Sequence, residues 1–507
     1  MTSWTLWSLV YLQIALGAFD TLYHHELTER LAWRPNAGKE LMLHAVRNAF
    51  YAAIFLTLAW SEPHGALAAL VLLVLVAEIA ITLWDFVEED LTRRLPATER
   101  VTHTLLALNY GAILALLLPL LWGSVALPSG IVAVSHGIGS WLLTAAAVAV
   151  TVFGARDWFA ARRAAAFVTA PAAALAVALA GRRRILVTGA TGFVGERLVA
   201  ALGAGGHEVI ALVRSPEKAA RLSAPVTLIT SLDQIAPSTR LDAVINLAGA
   251  PVADWPWTRR NRFRILYSRI KILRRLHALF GRLDVPPRVL VSASAIGWYG
   301  PRGDEVLTET DAAGEGFGAL SCRAVESEAL RAAACGLRVV NLRIGLVLDR
   351  AGGILGRLLP AFDLCAGGRI GHGRQWMSWI SRDDLVRLIV HAIASETLEG
   401  AVNATAPAPV RNEAFADALG SALHRPAFLP LPAIPLKLLG GQMAEEILLS
   451  GQRVHPAKAL ASGFVFRHTT LNDALAAALG AGEAGAARTD AGEPAARSAS
   501  PTHFRAG

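Results

Sequence analysis

Cysteine is scarce: Cys322, Cys335 and Cys365 are the only three in 507 residues. Their spacing suits neither a disulfide framework nor a zinc cluster, which excludes a disulfide-stapled scaffold and fits a reduced, cytoplasmic setting for the segment that carries them. The extreme N-terminus lacks the basic n-region of a cleaved signal peptide, so its first apolar stretch is expected to be retained. No HExxH or comparable ligand spacing occurs, and no metal is assigned. A concentrated basic patch is missing too. The formal net charge of +8 is spread over loops, with arginines beside apolar spans, a pattern of membrane topology that argues against a nucleic-acid partner.

The chain is instead rich in apolar sequence, 54% of all residues, concentrated in the first third. Five stretches are capable of spanning a bilayer: about 4–19, 41–60, 66–86, 104–122 and 137–153. Basic residues come after the first (Arg30, Arg34, Lys39), the third (Arg93, Arg94, Arg100) and the fifth (Arg156, Arg162, Arg163), and are absent from the two intervening links. This alternation places the N-terminus outside and residue 156 onward in the cytoplasm, as a multi-pass protein of the inner (cytoplasmic) membrane with the lipid bilayer as a partner. A sixth stretch, 164–180, is read as a linking or interfacial helix, because a span there would carry residues 181 onward out of the cytoplasm. Residues 481–507, rich in Ala, Gly, Ser and Pro without apolar period, read as a disordered tail.

The first four spans carry polar residues at helical spacing: Gln13, Asp20 and His24; His44, Arg47, Asn48 and Tyr51; Glu78, Asp85 and Glu89; Glu99, His103 and Tyr110. Each set shares a face, and the loop-charge topology puts nearly all of them in one half of the bilayer. Ionisable groups at that depth are expected to face inward as one connected cluster. Three readings stay open: metal ligation, a substrate pocket or proton path, and an ion-pair network centred on Arg47.

After these spans, Ile185 to Val187 feeds Gly189, Gly192 and Gly195, with a helical pattern at once behind them. This strand, turn and helix form a phosphate cradle: Gly189 for the tight turn, Gly192 for close approach of backbone to a diphosphate, Gly195 for helix packing, with Thr191 and Phe193 between them. A second strand, 207–213, ends in Arg214 and Ser215 where an acidic residue would bind the ribose of NAD. Arg214 offers a fork for a 2′-phosphate, which favours NADP over NAD. Small residues Ala248 and Gly249, after the strand 243–247, let backbone lie along the cofactor. Ser294 comes just after the strand 289–291 at the sheet's carboxyl edge.

From residue 184 to about 475 the sequence resembles the atypical extended short-chain dehydrogenase/reductases, in particular the YfcH-like epimerase subfamily. The resemblance is carried by the glycine turn, by Asn246 to Pro251 with Trp257, Ser268 and Arg269, by Ser292 to Gly300, by Leu342 to Leu348 with Gly352 and Gly353, and by Gly371 to Ile380 with Asp383 and Asp384. It implies an NADP-dependent oxidoreductase or epimerase acting on a small-molecule substrate whose oxygen Ser294 orients. Ordinary members carry Tyr-x-x-x-Lys on the next helix. Aligning on Glu326 puts Gly318 and Cys322 at those two positions, so the usual acid/base pair is absent, and Tyr299 is the remaining phenol. A non-catalytic NADP(H)-binding sensor is the alternative that this loss permits. Arg269 and Arg343 are candidates for anion or substrate binding. The expected architecture is an all-α transmembrane bundle (1–160), a linker (161–183), an α/β Rossmann-type doubly wound parallel sheet (184–424), a small C-terminal domain (425–478) and the tail (479–507).

Overall fold

The computed structural model describes residues 4–480 except 94, 166, 168–170, 220, 221, 223 and 224. The tail 481–507 and Arg94 therefore lie outside the described residues. The chain divides into two compact units between residues 168 and 169.

The first unit is helical: α1 (Trp4–Phe19), α2 (Gly38–Trp60), α3 (Ala66–Thr92), α4 (Ala97–Val125) and α5 (Ile138–Ala165). Five helical segments in it are long and apolar enough to cross a membrane, the first running on to Trp33. Its polarity is inside out relative to a soluble domain. Leu73, Leu108 and Trp122 are 64–75% exposed while Glu78, Asp85 and Glu99 are fully buried, the arrangement expected when the outer solvent is hydrocarbon. Two features escaped the sequence. The link Ser61–His64 (β1) pairs antiparallel with Gly130–Ala133 (β2), a ribbon tying the α2–α3 and α4–α5 connections together. Past α1 the chain winds on as a π-helix, Asp20–Glu29, ending where the Arg30 N–H bonds the His25 carbonyl.

The second unit is an α/β sandwich around a seven-stranded sheet. Its strands β3 (Arg184–Thr188), β4 (Glu208–Leu212), β5 (Thr227–Ile229), β6 (Ala243–Asn246), β7 (Val289–Ala295), β9 (Arg338–Ile344) and Gly400–Ala404 are short and apolar, as befits strands buried on both faces. All pairings are parallel, in the order Gly400–Ala404, β9, β7, β6, β3, β4, β5. This is the doubly wound order, with its switch point between β3 and β6. Helix α6 (Phe193–Ala204) and the helix Arg382–Ala394 cover one face through Leu198, Leu202, Leu385 and Ile389. Helices α8 (Arg259–Arg282) and α9 (Gly316–Leu330) cover the other through Leu276, Phe280 and Val325.

The stretch 164–180 contains no continuous helix among the described residues. Within it Ala172–Leu175 is a 3-10 turn, and Leu175, Ala176 and Leu179 are buried in the same core as α6, so the interfacial-helix reading is replaced by a segment that packs on the sheet domain. At the other end, Phe464 and Phe466 enter this core. Short strand β8 (Val306–Leu307) pairs with Arg453–Val454.

Asp384 fastens that closing segment. Its carboxylate accepts the backbone N–H groups of Arg467 (2.9 Å) and His468 (3.0 Å) and pairs with Arg387 at 2.8 Å. Burial alone would raise its pKa, but the bonds from His468 and the two N–H groups hold it below the usual carboxylate value. A depressed pKa gives stability that is complete above about pH 4 and is lost as pH falls through the native value. Asp384→Asn is expected to cost about 1.5–3 kcal/mol at neutral pH, with the gap from wild type closing below about pH 4. Thermal melts of the full chain at both pH values check this.

Candidate functional site

The glycine turn after β3 is built as its spacing requires. Gly189 has φ +75°, and a Cβ there would lie 2.7 Å from the Leu247 carbonyl carbon. At Gly195 a Cβ would lie 2.1 Å from the Gly189 oxygen, which leaves no room for a side chain. The Gly192 N–H bonds the Gly189 carbonyl at 3.0 Å, and α6 starts at Phe193. Thr191 and Phe193 are half-buried, and the first N–H groups of α6, which have no intrahelical acceptor, open at the sheet's carboxyl edge as an anion site. Phe193 lies against Gly352 and Gly353, where a Cβ would come within 2.7 and 3.1 Å of its ring atoms. Those two glycines are thus explained by close approach.

Beside the turn, Arg214 is exposed at the end of β4 and has no hydrogen bond or ion pair among the described residues. Ala248 and Gly249 come after β6, and this lane is tethered from α8: Ser268 Oγ accepts the Ala250 N–H at 2.9 Å and Arg269 donates to the Ala250 carbonyl at 3.0 Å. The Arg269 guanidinium covers Gly249, a Cβ there meeting Arg269 Cζ at 2.7 Å. It has no carboxylate partner among the described residues, and burial lowers its pKa. A cation thus stands beside the lane with its charge unneutralised. Under the lane, Thr188, Asn246 and Ser292 form a buried polar ladder across β3, β6 and β7.

Ser294, near the end of β7, donates to Glu326 Oε1 at 2.6 Å. Glu326 is held by Arg343 through two bonds, 3.0 Å to Nε and 3.1 Å to Nη2. Arg343, 3% exposed and stacked 3.9 Å over Trp298, is therefore a structural counter-charge and not the free anion-binding group expected of it. Tyr299 is corrected as well. It is fully buried, its hydroxyl lies 2.8 Å from the Thr308 carbonyl and 2.7 Å from Asn403 Oδ1, and it accepts from Arg343 at 3.0 Å. Burial pushes its pKa up to about 12 against the opposing pull of Arg343. This phenol is committed to the core, with no exposed face from which to exchange a proton.

The vacated tyrosine position is filled from the C-terminal domain. Glu446 accepts the backbone N–H groups of Phe317 (3.0 Å) and Gly318 (2.9 Å) at the start of α9, and a side chain at 318 would begin 3.2 Å from Glu446 Oε2. Gln442 and Arg262 complete the chain of bonds behind it. Cys322, at the lysine position, is a buried thiol 3.5 Å from the Ala295 carbonyl, with its pKa raised by burial. Nothing in the local sequence signalled Glu446. Near Asp383, His468 Nδ1 lies 3.0 Å from Ser381 Oγ. Trp379 is part of the core, while Trp376 is half-buried and clasped by Arg411 and Arg453 at 4.2 and 4.6 Å.

Residues 185–404 match the NAD dependent epimerase/dehydratase family, and residues 431–478 match a domain of unknown function, DUF1731. An epimerase family protein of Mycobacterium leprae, ML0860, is 39% identical over 302 residues, 59% of this chain and 97% of its own length. The chain belongs to the epimerase family. A second member, the chloroplastic SDR39U1 homolog of Arabidopsis thaliana, is 40% identical over 303 residues, 58% of this chain and 86% of its own. Among solved structures, that of the human epimerase family protein SDR39U1 with NADPH aligns at TM-score 0.52 and 32% identity, over 59% of this chain and 98% of that one. Epimerase membership accounts for the sheet unit. The helical unit, residues 1–168, lies outside the two family matches.

Removing Arg343 alone strands a buried carboxylate beneath Ser294. Arg343→Met is expected to cost about 3–5 kcal/mol, and adding Glu326→Leu should recover most of it; paired thermal melts of the single and double variants check this coupling.

Proposed function

We propose that this epimerase-family chain is a membrane-anchored NADP(H)-dependent oxidoreductase or epimerase of the YfcH-like group, with its sheet unit on the cytoplasmic side of the inner membrane. The observation that carries the cofactor reading is Arg214, a guanidinium with no partner among the described residues, at the end of β4 beside a glycine cradle that a single Cβ would fill. The residues fit the group: Gly189, Thr191, Gly192, Phe193 and Gly195 hold the diphosphate at the start of α6, Ala248 and Gly249 leave a lane for the rest, and Arg214 takes the 2′-phosphate. When bound, the nicotinamide supplies hydride exchange.

Ser294 orients the reacting oxygen of a small or lipid-proximal substrate, its own hydroxyl fixed by Glu326. Proton exchange falls to the Glu446 carboxylate over Gly318, in place of the absent phenol and lysine. Arg269, which lacks a carboxylate, suits a substrate that carries negative charge. The membrane reading rests on the five apolar helices and the alternation of basic loops. The sensor reading keeps one supporting observation, Gly318 and Cys322 where the acid/base pair would be. No protein-dependent NADPH oxidation across a broad carbonyl screen would favour it.

Two outcomes test the catalytic reading. NADPH is expected to bind at least about tenfold more tightly than NADH, a difference of ~1.4 kcal/mol, and Arg214→Ala should remove that preference; equal affinities in the wild type would overturn the NADP assignment. Ser294→Ala and Glu446→Gln should each lower kcat while leaving NADPH affinity nearly intact, as read by steady-state kinetics alongside fluorescence titration.

A further inference from the structure

The inner face of the helical unit gathers several buried carboxylates around few arginines and lysines. Asp20, Glu40, Glu89 and Glu99 are all 5% exposed or less. The fixed cation that pairs with them among the described residues is Arg93, which bonds Glu40 at 2.9 Å and Glu99 at 2.7 Å and reaches Glu89 at 3.4 Å. Arg93 thus serves three of these four carboxylates, while the partners of Asp20 among the described residues are histidines, and uncompensated charge in a low-dielectric interior is costly. Histidines fill the gap between them. His103 Nε2 and His25 Nε2 lie 3.2 and 3.4 Å from Asp20 Oδ2, and His25 Nε2 lies 3.7 Å from Glu99 Oε1. His25, only 6% exposed, has no hydrogen-bond partner at Nε2 among the described residues, although that atom lies 3.4 and 3.7 Å from the two carboxylates.

We propose that Asp20, His25, Glu99 and His103 bind one divalent first-row transition metal ion. One donor atom from each lies within 4.8 Å of all the others. Bonds of about 2.1 Å set the ligand atoms of a tetrahedral ion roughly 3.4 Å apart, close to the three contacts of 3.2, 3.4 and 3.7 Å among these residues. Two imidazoles with two carboxylates suit iron, manganese or zinc and not a soft thiophilic ion. Around these four groups, His103 Nδ1 lies 3.4 Å from Glu89 Oε2 and His24 Nδ1 lies 2.8 Å from Asp20 Oδ1, so further imidazole and carboxylate groups surround the candidate ligands. A divalent ion adds positive charge beside Asp20, whose partners among the described residues are histidines. Asp20 and His103 also line a mostly apolar cavity of about 450 Å³ that Asn48, Tyr51 and Tyr110 share. An ion there has protein on one side and room for an exogenous ligand on the other, as catalytic metal sites do and sealed structural ones do not.

The test uses the full chain in detergent, purified without chelator, with metal content read by inductively coupled plasma mass spectrometry. About one equivalent of a single transition metal per chain is expected, lost in His25→Ala and in His103→Ala and kept in Glu88→Gln, whose carboxylate pairs with Lys39 instead. Because either alanine variant can misfold, stripped wild-type protein is also titrated with Co²⁺. A d–d absorption band saturating near one equivalent supports the site. Metal-free protein that gives no saturable band overturns the proposal, as does metal retained in both histidine variants. NADPH binding by the sheet unit is read separately, so failure here leaves the cofactor reading untouched.

Discussion

Arg343 grips Glu326 through two nearly parallel N–H···O bonds between β9 and α9, and the reactive edge of the sheet is arranged around that grip. The carboxylate fixes Ser294, while the guanidinium stacks on Trp298 and holds the Tyr299 hydroxyl. A buried carboxylate tolerates neither vacancy nor slack, so each neighbour's position is set by the need to satisfy it. The helical unit obeys the same constraint with fewer partners to hand: Arg93 serves three carboxylates from α2, α3 and α4, which welds those helices at one level.

The sheet was legible because its determinants are local. A run such as Ile185 to Val187, a glycine triplet and a helical period sit together in sequence, and each glycine meets the backbone obstruction its position implies. The polar stripes were legible for the same reason, and Asp20, His24, His44, Asp85, Glu89 and His103 do join through direct contacts. Glu78 stands apart, held by the hydroxyls of Thr82 and Tyr110. His25 was missed because an α-helical period separates it from Asp20. The π-helix brings residues five apart onto one face, so both His24 and His25 turn inward. Glu446 was missed because 128 residues separate it from Gly318. Tyr299 was misjudged since sequence proximity to Ser294 says nothing about which way a 3-10 turn aims a ring.

The exchange at the start of α9 alters the chemistry available to this site. A phenol carries one hydroxyl; the carboxylate standing here offers two oxygens, and each accepts a backbone N–H at the start of α9. The C-terminal segment thereby reaches the start of α9 through Glu446, as well as closing the core through Phe464 and Phe466.

That closure has a bearing on how the protein is made. Synthesis runs from the N-terminus, so the sheet strands are all in place by Ala404 while the core between β3 and the helix Arg382–Ala394 still lacks its two phenylalanines. Asp384 likewise waits for the amides of Arg467 and His468. The nascent chain therefore carries an open apolar cleft and a buried-to-be carboxylate for the roughly sixty residues between Ala404 and Phe464. Completion of the sheet unit is a late event on the ribosome, and a message truncated before Phe464 yields an unfinished core.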